Sequence, residues 1–441
     1  MWFSNWLRSW TRIAGPSPRP ARRTPPPYRP RLEVLEDRLC PSGGVLDTSF
    51  NGTGSLSLPW ATNNASESVA IQPDGKIVSV GVVTAKGTDQ QEICIVRLNS
   101  NGTLDKTFNG TGIVDLKIGV SAGAGSVAIQ PDGKILVGGS AYSTNKAFQG
   151  FDSEIVIARY NANGILDTTF ASKGIFTWNR TPNLDEASSL TVLPDNSIVA
   201  IAGTNNINSG GVIFKLNANG SPVTSFGTKG VATFQPIQGT QLSDMTVAPN
   251  GDLILSGYNR VGLLFAVNPS TGTLDPSFNS GQGWLEDVNP TGTFEFDSVA
   301  VQGNNIVVGG NDFITGQGSY GMLARFNLTT GAIDPSFATN GYFVMPTTGG
   351  SFTNVAFEPD GSLIAEGPVE NSYLTVAHFT TNGQLDTTFG GAGTGFAEIA
   401  GAEGFGLAID SSGRIVVSGH DGPNVVGERM AFFVRLTPPG P

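Results

Sequence analysis

The sequence predicts an all-β fold: a seven-bladed β-propeller of four-stranded antiparallel blades. Three recurring elements carry this reading. The first is a hairpin signature, two alternating apolar runs joined by a Pro-Asp-Gly-type turn. It begins at Val69, Val127, Leu190, Met245, Val299, Val355 and Leu407, as in VAIQPDGKILVGG at Val127. The second is a short apolar run after each hairpin, such as IVRLN at Ile95 and IARYN at Ile157, usually closing on a basic residue. The third is Leu/Ile-Asp-x-Ser/Thr-Phe, ending at Phe50, Phe108, Phe170, Phe278, Phe337 and Phe389, with a degenerate PVTSF at Phe226; these phenylalanines lie 52 to 62 residues apart.

Each module therefore supplies four strands: two from the hairpin, one ending in the basic residue, and one after the phenylalanine. Short strands with Gly-rich punctuation and no 3.6-residue periodicity suit a propeller blade rather than a helical solenoid. The repeat overrides a length prior of about three domains. Val45–Trp60 holds one phenylalanine element and one strand ahead of the first hairpin, whereas the chain ends on a basic-residue strand at Phe433–Thr437. Gly54–Leu58 is thus expected to complete the C-terminal blade and close the ring, which leaves no open edge.

The combination of Leu-Asp-x-Ser/Thr-Phe, QPDGKI and ARYN resembles the delta-60 repeat family of large bacterial surface and secreted proteins, over roughly Val45 to Thr437. The hairpin followed by an apolar strand also resembles NHL-type propeller blades. That likeness implies a strand order, from the axis outward, of hairpin strand one, hairpin strand two, the basic-residue strand and the strand after Phe. It implies no particular activity.

Residues 1–43 stand apart as a basic, Pro-rich segment of a composition that cannot form a packed core; 44–437 form the propeller and 438–441 a tail. The segment lacks the apolar core of a usual signal peptide. Arg31–Ser42, RPRLEVLEDRLCPS in context, resembles the N-terminal motif of planctomycete extracellular proteins, with Cys40 at an apolar position. The resemblance implies export or surface display.

Charge narrows the partners. Residues 1–40 carry eight arginines against three acidic residues, so the net −11 of the chain leaves −16 on the repeat domain. That argues against nucleic acid, which needs clustered Lys and Arg. No run reaches the ~20 apolar residues of a membrane span. Two cysteines, Cys40 and Cys94, are too few for a disulfide scaffold. A monomer is expected.

The basic residues Arg97, Arg159, Lys215, Arg325, His378 and Arg435 invite pairing with the Leu/Ile-Asp acids, taken in module order as Asp47, Asp105, Asp167, Asp275, Asp334 and Asp386. On that pairing the fourth module loses both charges together, at Val223 and Ala266, as a buried structural ion pair would. His378 then reads as a structural cation. The residues opening the innermost strands are Ser68, Ser126, Ser189, Asp244, Ser298, Asn354 and Gly406, with Glu67, Asp185, Glu186, Glu295, Asp297 and Glu403 nearby. They could form an oxygen-rich channel mouth suited to Ca²⁺, with Asp244, Asp297 and Asn354 as metal candidates; capping of strand ends by solvated polar residues is the plainer reading.

Two histidines, His378 and His420, no GxSxG elbow and no Cys/His cluster give little support to nucleophilic or zinc chemistry. Trp60, Trp178 and Trp284 read as blade packing. The short PDG turns and Asn-x-Asn-Gly connections lie on one face and hardly vary, while loops such as Ala141–Asp152 and the short Gly257–Gly262 differ on the other. Binding is expected on the variable face. The leading expectation is a non-enzymatic, exported or cell-surface module for protein or polysaccharide, without a catalytic residue or cofactor. The alternative is a metal-assisted hydrolase or lyase on carbohydrate or lactone, working at the channel mouth.

Overall fold

The computed structural model describes residues 45–437 apart from 60–61, 86, 89, 146–149, 180–184, 205–209, 288–292, 347, 370–372, 391–393 and 422–428. The N-terminal segment 1–43, the tail 438–441, Cys40 and Trp60 lie outside these residues. The described chain forms seven four-stranded antiparallel sheets and a single three-residue 3₁₀ turn, Asn279–Gly281. In blade 2 the strands are Ser121–Ile129, Ile135–Asn145, Gly150–Tyr160 and Ile175–Trp178, hydrogen-bonded in that order. Blades 1 to 6 all follow chain order. Blade 7 joins Ala402–Ile409, Ile415–Asp421 and Met430–Leu436 to the N-terminal strand Ser55–Leu58, in register Ser55↔Val434 to Leu58↔Ala431. The ring closes by the predicted exchange.

Strand composition follows from position. Third strands are enclosed on both faces, so they read as continuous apolar runs; every residue of Gly211–Leu216 is buried. The core lies between blades rather than within them. Ile93, Ile95 and Phe108 of blade 1 pack with Ala122, Ala124 and Val127 of blade 2, and Trp178 sets its ring edge-on to Phe214 of the next blade at 5.2 Å. Trp284 likewise packs on the apolar cluster of Leu263 and Phe265, and Cys94 is a buried core thiol.

First strands carry a β-bulge where they near the axis: the register shifts at Ser66/Ser68, Ala124/Ser126, Ala187/Ser189, Leu242/Asp244, Phe296/Ser298 and Gly404/Gly406. Opposite the bulges of blades 1, 2, 4, 5 and 7 stand Gly81, Gly139, Gly257, Gly310 and Gly419, where a Cβ would overlap a carbonyl oxygen of the facing strand. These glycines are required by close approach, not by a positive φ.

In blades 1, 2, 5 and 7 the third-strand arginine pins its blade to the next. Arg97 Nε donates to Asp105 at 2.8 Å, Arg159 to Asp167 at 2.9 Å, Arg325 to Asp334 at 2.9 Å and Arg435 to Asp47 at 2.7 Å. Their Nη1 groups donate to carbonyls in the following blade, at Ala162, Ala218, Thr381 and Ser100. Each guanidinium lies over a repeat phenylalanine, Phe108, Phe170, Phe337 or Phe50, at 4.6–5.0 Å. His378 takes the same place, with Nδ1 2.8 Å from Asp386 and Nε2 2.8 Å from Glu358.

The pairing corrects the expected one. Each cation meets the acid that follows it, because the Asn-x-Asn-Gly connection folds back on the strand: Asp105 N–H donates to the Arg97 carbonyl at 2.9 Å, and Leu98 bridges Leu104. The two losses at Val223 and Ala266 are therefore not one lost pair. Lys215 keeps its charge without the Asp and donates to the Pro269 carbonyl at 2.7 Å, with Asp195 at 3.9 Å. Among the described residues Asp275 keeps its acid without a cation, and it shares its surroundings with Asp252, whose carboxyl is pushed up to about 6 by burial and by Asp275.

Two stability predictions follow from the pins. Arg97→Ala leaves Asp105 buried without its cation and should cost about 3–5 kcal/mol in denaturant unfolding, less for Arg159→Ala, where Lys134 stays 3.9 Å from Asp167, whereas Val223→Asp gives Lys215 its missing partner and should raise Tm. Burial pushes Asp105 and Asp167 up, but hydrogen bonds from Thr107 and Thr169 and the arginines outweigh it, so both folded carboxyls sit below their usual value. Their stabilisation is full above the unfolded carboxyl pKa of about 4 and is lost as pH falls through the lower folded values. Circular dichroism during acid titration should therefore show unfolding that begins below about pH 4, and at higher pH in Arg159→Ala.

Candidate functional site

The first strands of successive blades meet each other, which places them around the axis, and the residue after each bulge makes the contact. Ser126 Oγ accepts from Leu190 N–H at 3.0 Å, and Ser189 Oγ donates to Asp244 Oδ1 at 3.1 Å. Asp244 Oδ2 accepts from Ser298 Oγ at 3.2 Å and Val299 N–H at 3.1 Å. Ser298 Oγ accepts from Val355 N–H at 3.2 Å, and Asn354 Nδ2 donates to the Phe405 carbonyl at 3.3 Å. At Gly406 the backbones themselves close in: a Cβ there would lie 2.9 Å from Val69 N. This is a clasp from blade to blade.

The clasp accounts for the metal candidates. Asp244 also accepts from Met245 N–H at 2.7 Å, so both oxygens are occupied by protein donors. Burial pushes its carboxyl up, against the hydrogen bonds from Val299, Met245, Ser189 and Ser298. Asp297 instead accepts from Ser351 Oγ at 2.8 Å, and burial pushes it up to about 6. Asn354 donates to Glu366 Oε2 at 2.8 Å. The three are held by separate partners, and among the described residues no three His, Cys, Asp or Glu side chains gather so as to hold a metal.

One turn nearer the variable loops, Glu186, Gln241, Glu295 and Glu403 stand at matching positions of their first strands, each paired with a second-strand residue: Gly203, Tyr258, Asn311 and His420. Tyr258 Oη donates to Gln241 at 3.3 Å, Asn311 Nδ2 to Glu295 at 3.0 Å, and His420 Nε2 lies 3.2 Å from Glu403. Glu67 belongs to the same mouth; burial first and then Glu186 push its carboxyl up. Asp185, by contrast, is buried and takes the Ser153 hydroxyl near its backbone.

Two features escaped the sequence reading. Glu366 is fully buried on the second strand of blade 6, Leu363–Val369, where the other modules carry Val80, Gly138, Ile201, Ser256, Gly309 and Ser418. Its Oε1 lies against Gly404 of blade 7 without a hydrogen-bond partner among the described residues. Burial pushes it up to about 7, against the hydrogen bond from Asn354. A charge among uncharged counterparts was the available signal. The second feature is a cleft of about 340 Å³ between blades 4 and 5, lined by Gln241, Tyr258, Asn259, Arg260, Glu295 and Phe313 among others. Blade 4 turns back after Tyr258 and resumes at Gly262, while the blade 5 hairpin continues to Ile314 and Gly318. The upper wall of blade 5 is thus left uncovered, and Phe313 is 48% exposed.

Two stretches of the chain match a family model. They are residues 72–108 and 130–170, and the family is described as "Domain of unknown function (DUF5122) beta-propeller". No curated protein matches the chain. Solved structures similar to it include a protein of unknown function from Dyadobacter fermentans, at 12% identity and a TM-score of 0.44, covering 87% of this chain and 99% of that one. Another, from Bacteroides caccae, is 12% identical with a TM-score of 0.39 over 73% and 93% of the two chains. A puromycin hydrolase is 12% identical with a TM-score of 0.46 over 83% of this chain and 52% of that one.

Glu366 gives the site a pH signature. Its folded pKa of about 7 lies above the usual 4.5, so its contribution is full below the unfolded value and is lost as pH rises through 7, by roughly 3 kcal/mol. Tm should fall as pH rises from about 4.5 to about 8 and level off above that, and Glu366→Gln, which keeps the neutral shape, should shrink that fall. An identical pH dependence in the variant would contradict the assignment.

Proposed function

We propose that this propeller is an exported binding module that holds a protein or polysaccharide partner on its variable-loop face. One observation carries the reading: the two faces are built under opposite constraints. On the constant face, turns and connections are fixed by the pins, since each Nη1 needs a carbonyl from the connection of the next blade. On the other face the hairpins end independently, at Asn145 in blade 2 and at Tyr258 in blade 4. Individual chemistry can accumulate only there. At the mouth, the clasp commits the candidate side chains to neighbouring blades, which favours binding over hydrolysis. The export address is supported by the likeness of Arg31–Ser42 to the planctomycete motif.

The test compares faces. Retention of the full chain on insoluble cell-wall polysaccharide and on immobilised envelope protein should be reduced by Phe405→Ser, 38% exposed at the mouth, and unchanged by Ile165→Ser, 52% exposed on the constant face. Loss with Ile165→Ser alone would overturn the reading.

A further inference from the structure

We infer that the cleft between blades 4 and 5 is a subsite for a neutral saccharide. The inference rests on the variable face being the binding face and names its ligand class. Four observations support it. The cleft is a consequence of the short blade 4 hairpin, so it is a local departure from the repeat rather than a feature of every blade junction. Its volume of about 340 Å³ sits at the lower end of the roughly 300–1,000 Å³ of small-ligand pockets. One wall offers the exposed ring of Phe313, in cross-strand register with Thr293. The remaining walls offer planar polar groups: the amides of Gln241 and Asn259, the guanidinium of Arg260, the Glu295 carboxylate and the Tyr258 hydroxyl.

A pyranose has the matching duality, a C–H face that packs on an aromatic ring and a rim of hydroxyls that both donate and accept. Arg260 supplies donors only and Glu295 acceptors only, so together they address vicinal hydroxyls from both sides. Arg260 makes no ion pair among the described residues, and it adopts φ +58 at the turn, a left-handed conformation uncommon for a long side chain. Charge selects a neutral sugar. Glu67, Glu186, Glu295, Asp297 and Glu403 stand around the neighbouring mouth and repel a uronate, while Arg260 in the cleft opposes a basic peptide.

The experiment is calorimetric titration of the full 441-residue chain with cello-, xylo-, manno- and chito-oligosaccharides and with a lysine-rich peptide. Saturable binding of at least one neutral oligosaccharide is expected. Phe313→Ala, and separately Arg260→Asn, which suits the left-handed turn, should weaken it about tenfold, with Ile165→Ser unchanged. Both exposed substitutions should leave the far-UV spectrum intact. Saccharide binding indifferent to both variants overturns the cleft assignment. Peptide binding that is lost with Phe313→Ala, without any saccharide binding, overturns the saccharide assignment and leaves the face reading standing. If no probe binds and Phe405→Ser also leaves retention unaffected, both fail.

Discussion

The structure depends on one polar arrangement in an otherwise apolar interior: a guanidinium held between a carboxylate of its own blade, a carbonyl of the next and a phenylalanine ring. Arg97, Arg159, Arg325 and Arg435 repeat it with Asp distances of 2.7–2.9 Å. A buried ion pair taken alone is weak support for stability. Here the remaining guanidinium donors are used as well, so the desolvation of the charge is matched by hydrogen bonds in two blades at once. At the seam the arrangement joins the two chain ends, since Arg435 takes Asp47 and the Ser100 carbonyl.

Near the axis a different constraint applies. Seven first strands must converge, and in six of them a bulge marks the approach to the axis. In blades 2, 4 and 5 the glycine opposite the bulge and the Ser126, Asp244 or Ser298 beyond it are two parts of one device: the glycine admits the bent strand, and the polar side chain satisfies a backbone donor of the next blade. Blade 4 departs most from the pattern. It lacks the pin cation at Ala266, leaves Asp275 beside Asp252, and has the short hairpin that opens the cleft. Its clasp compensates, for Asp244 makes links to both neighbouring blades.

Much of the fold was legible in the sequence because repetition displays its own constraints. Strand number and the closing role of Gly54–Leu58 followed from alternation and from the odd strand at each end, and strand order from the likeness to NHL-type blades. The pin partners were legible as residue types but not as pairs. A period of 52 to 62 residues does not say whether an arginine meets the acid before it or the one after it, and only the fold-back at Asn-x-Asn-Gly decides. The glycines opposite the bulges looked like turn glycines, since close approach and positive φ leave the same letter. Asp244 looked like a metal ligand because the donors filling it come from Ser189 and Val299, 55 residues away in either direction. The cleft was half visible: the short Gly257–Gly262 loop stood out, but its juxtaposition with Phe313 is tertiary.

The central claim is that pins, clasp and closing strand make the seven blades one cooperative body. Native-state hydrogen exchange followed residue by residue tests it most directly. Third-strand amides of blades 2 and 4 and the amides of the Ser55–Leu58 seam should exchange through one global opening, with a single free energy and a single denaturant dependence. A seam that opens at a distinctly lower free energy than blades 2 and 4 would contradict it.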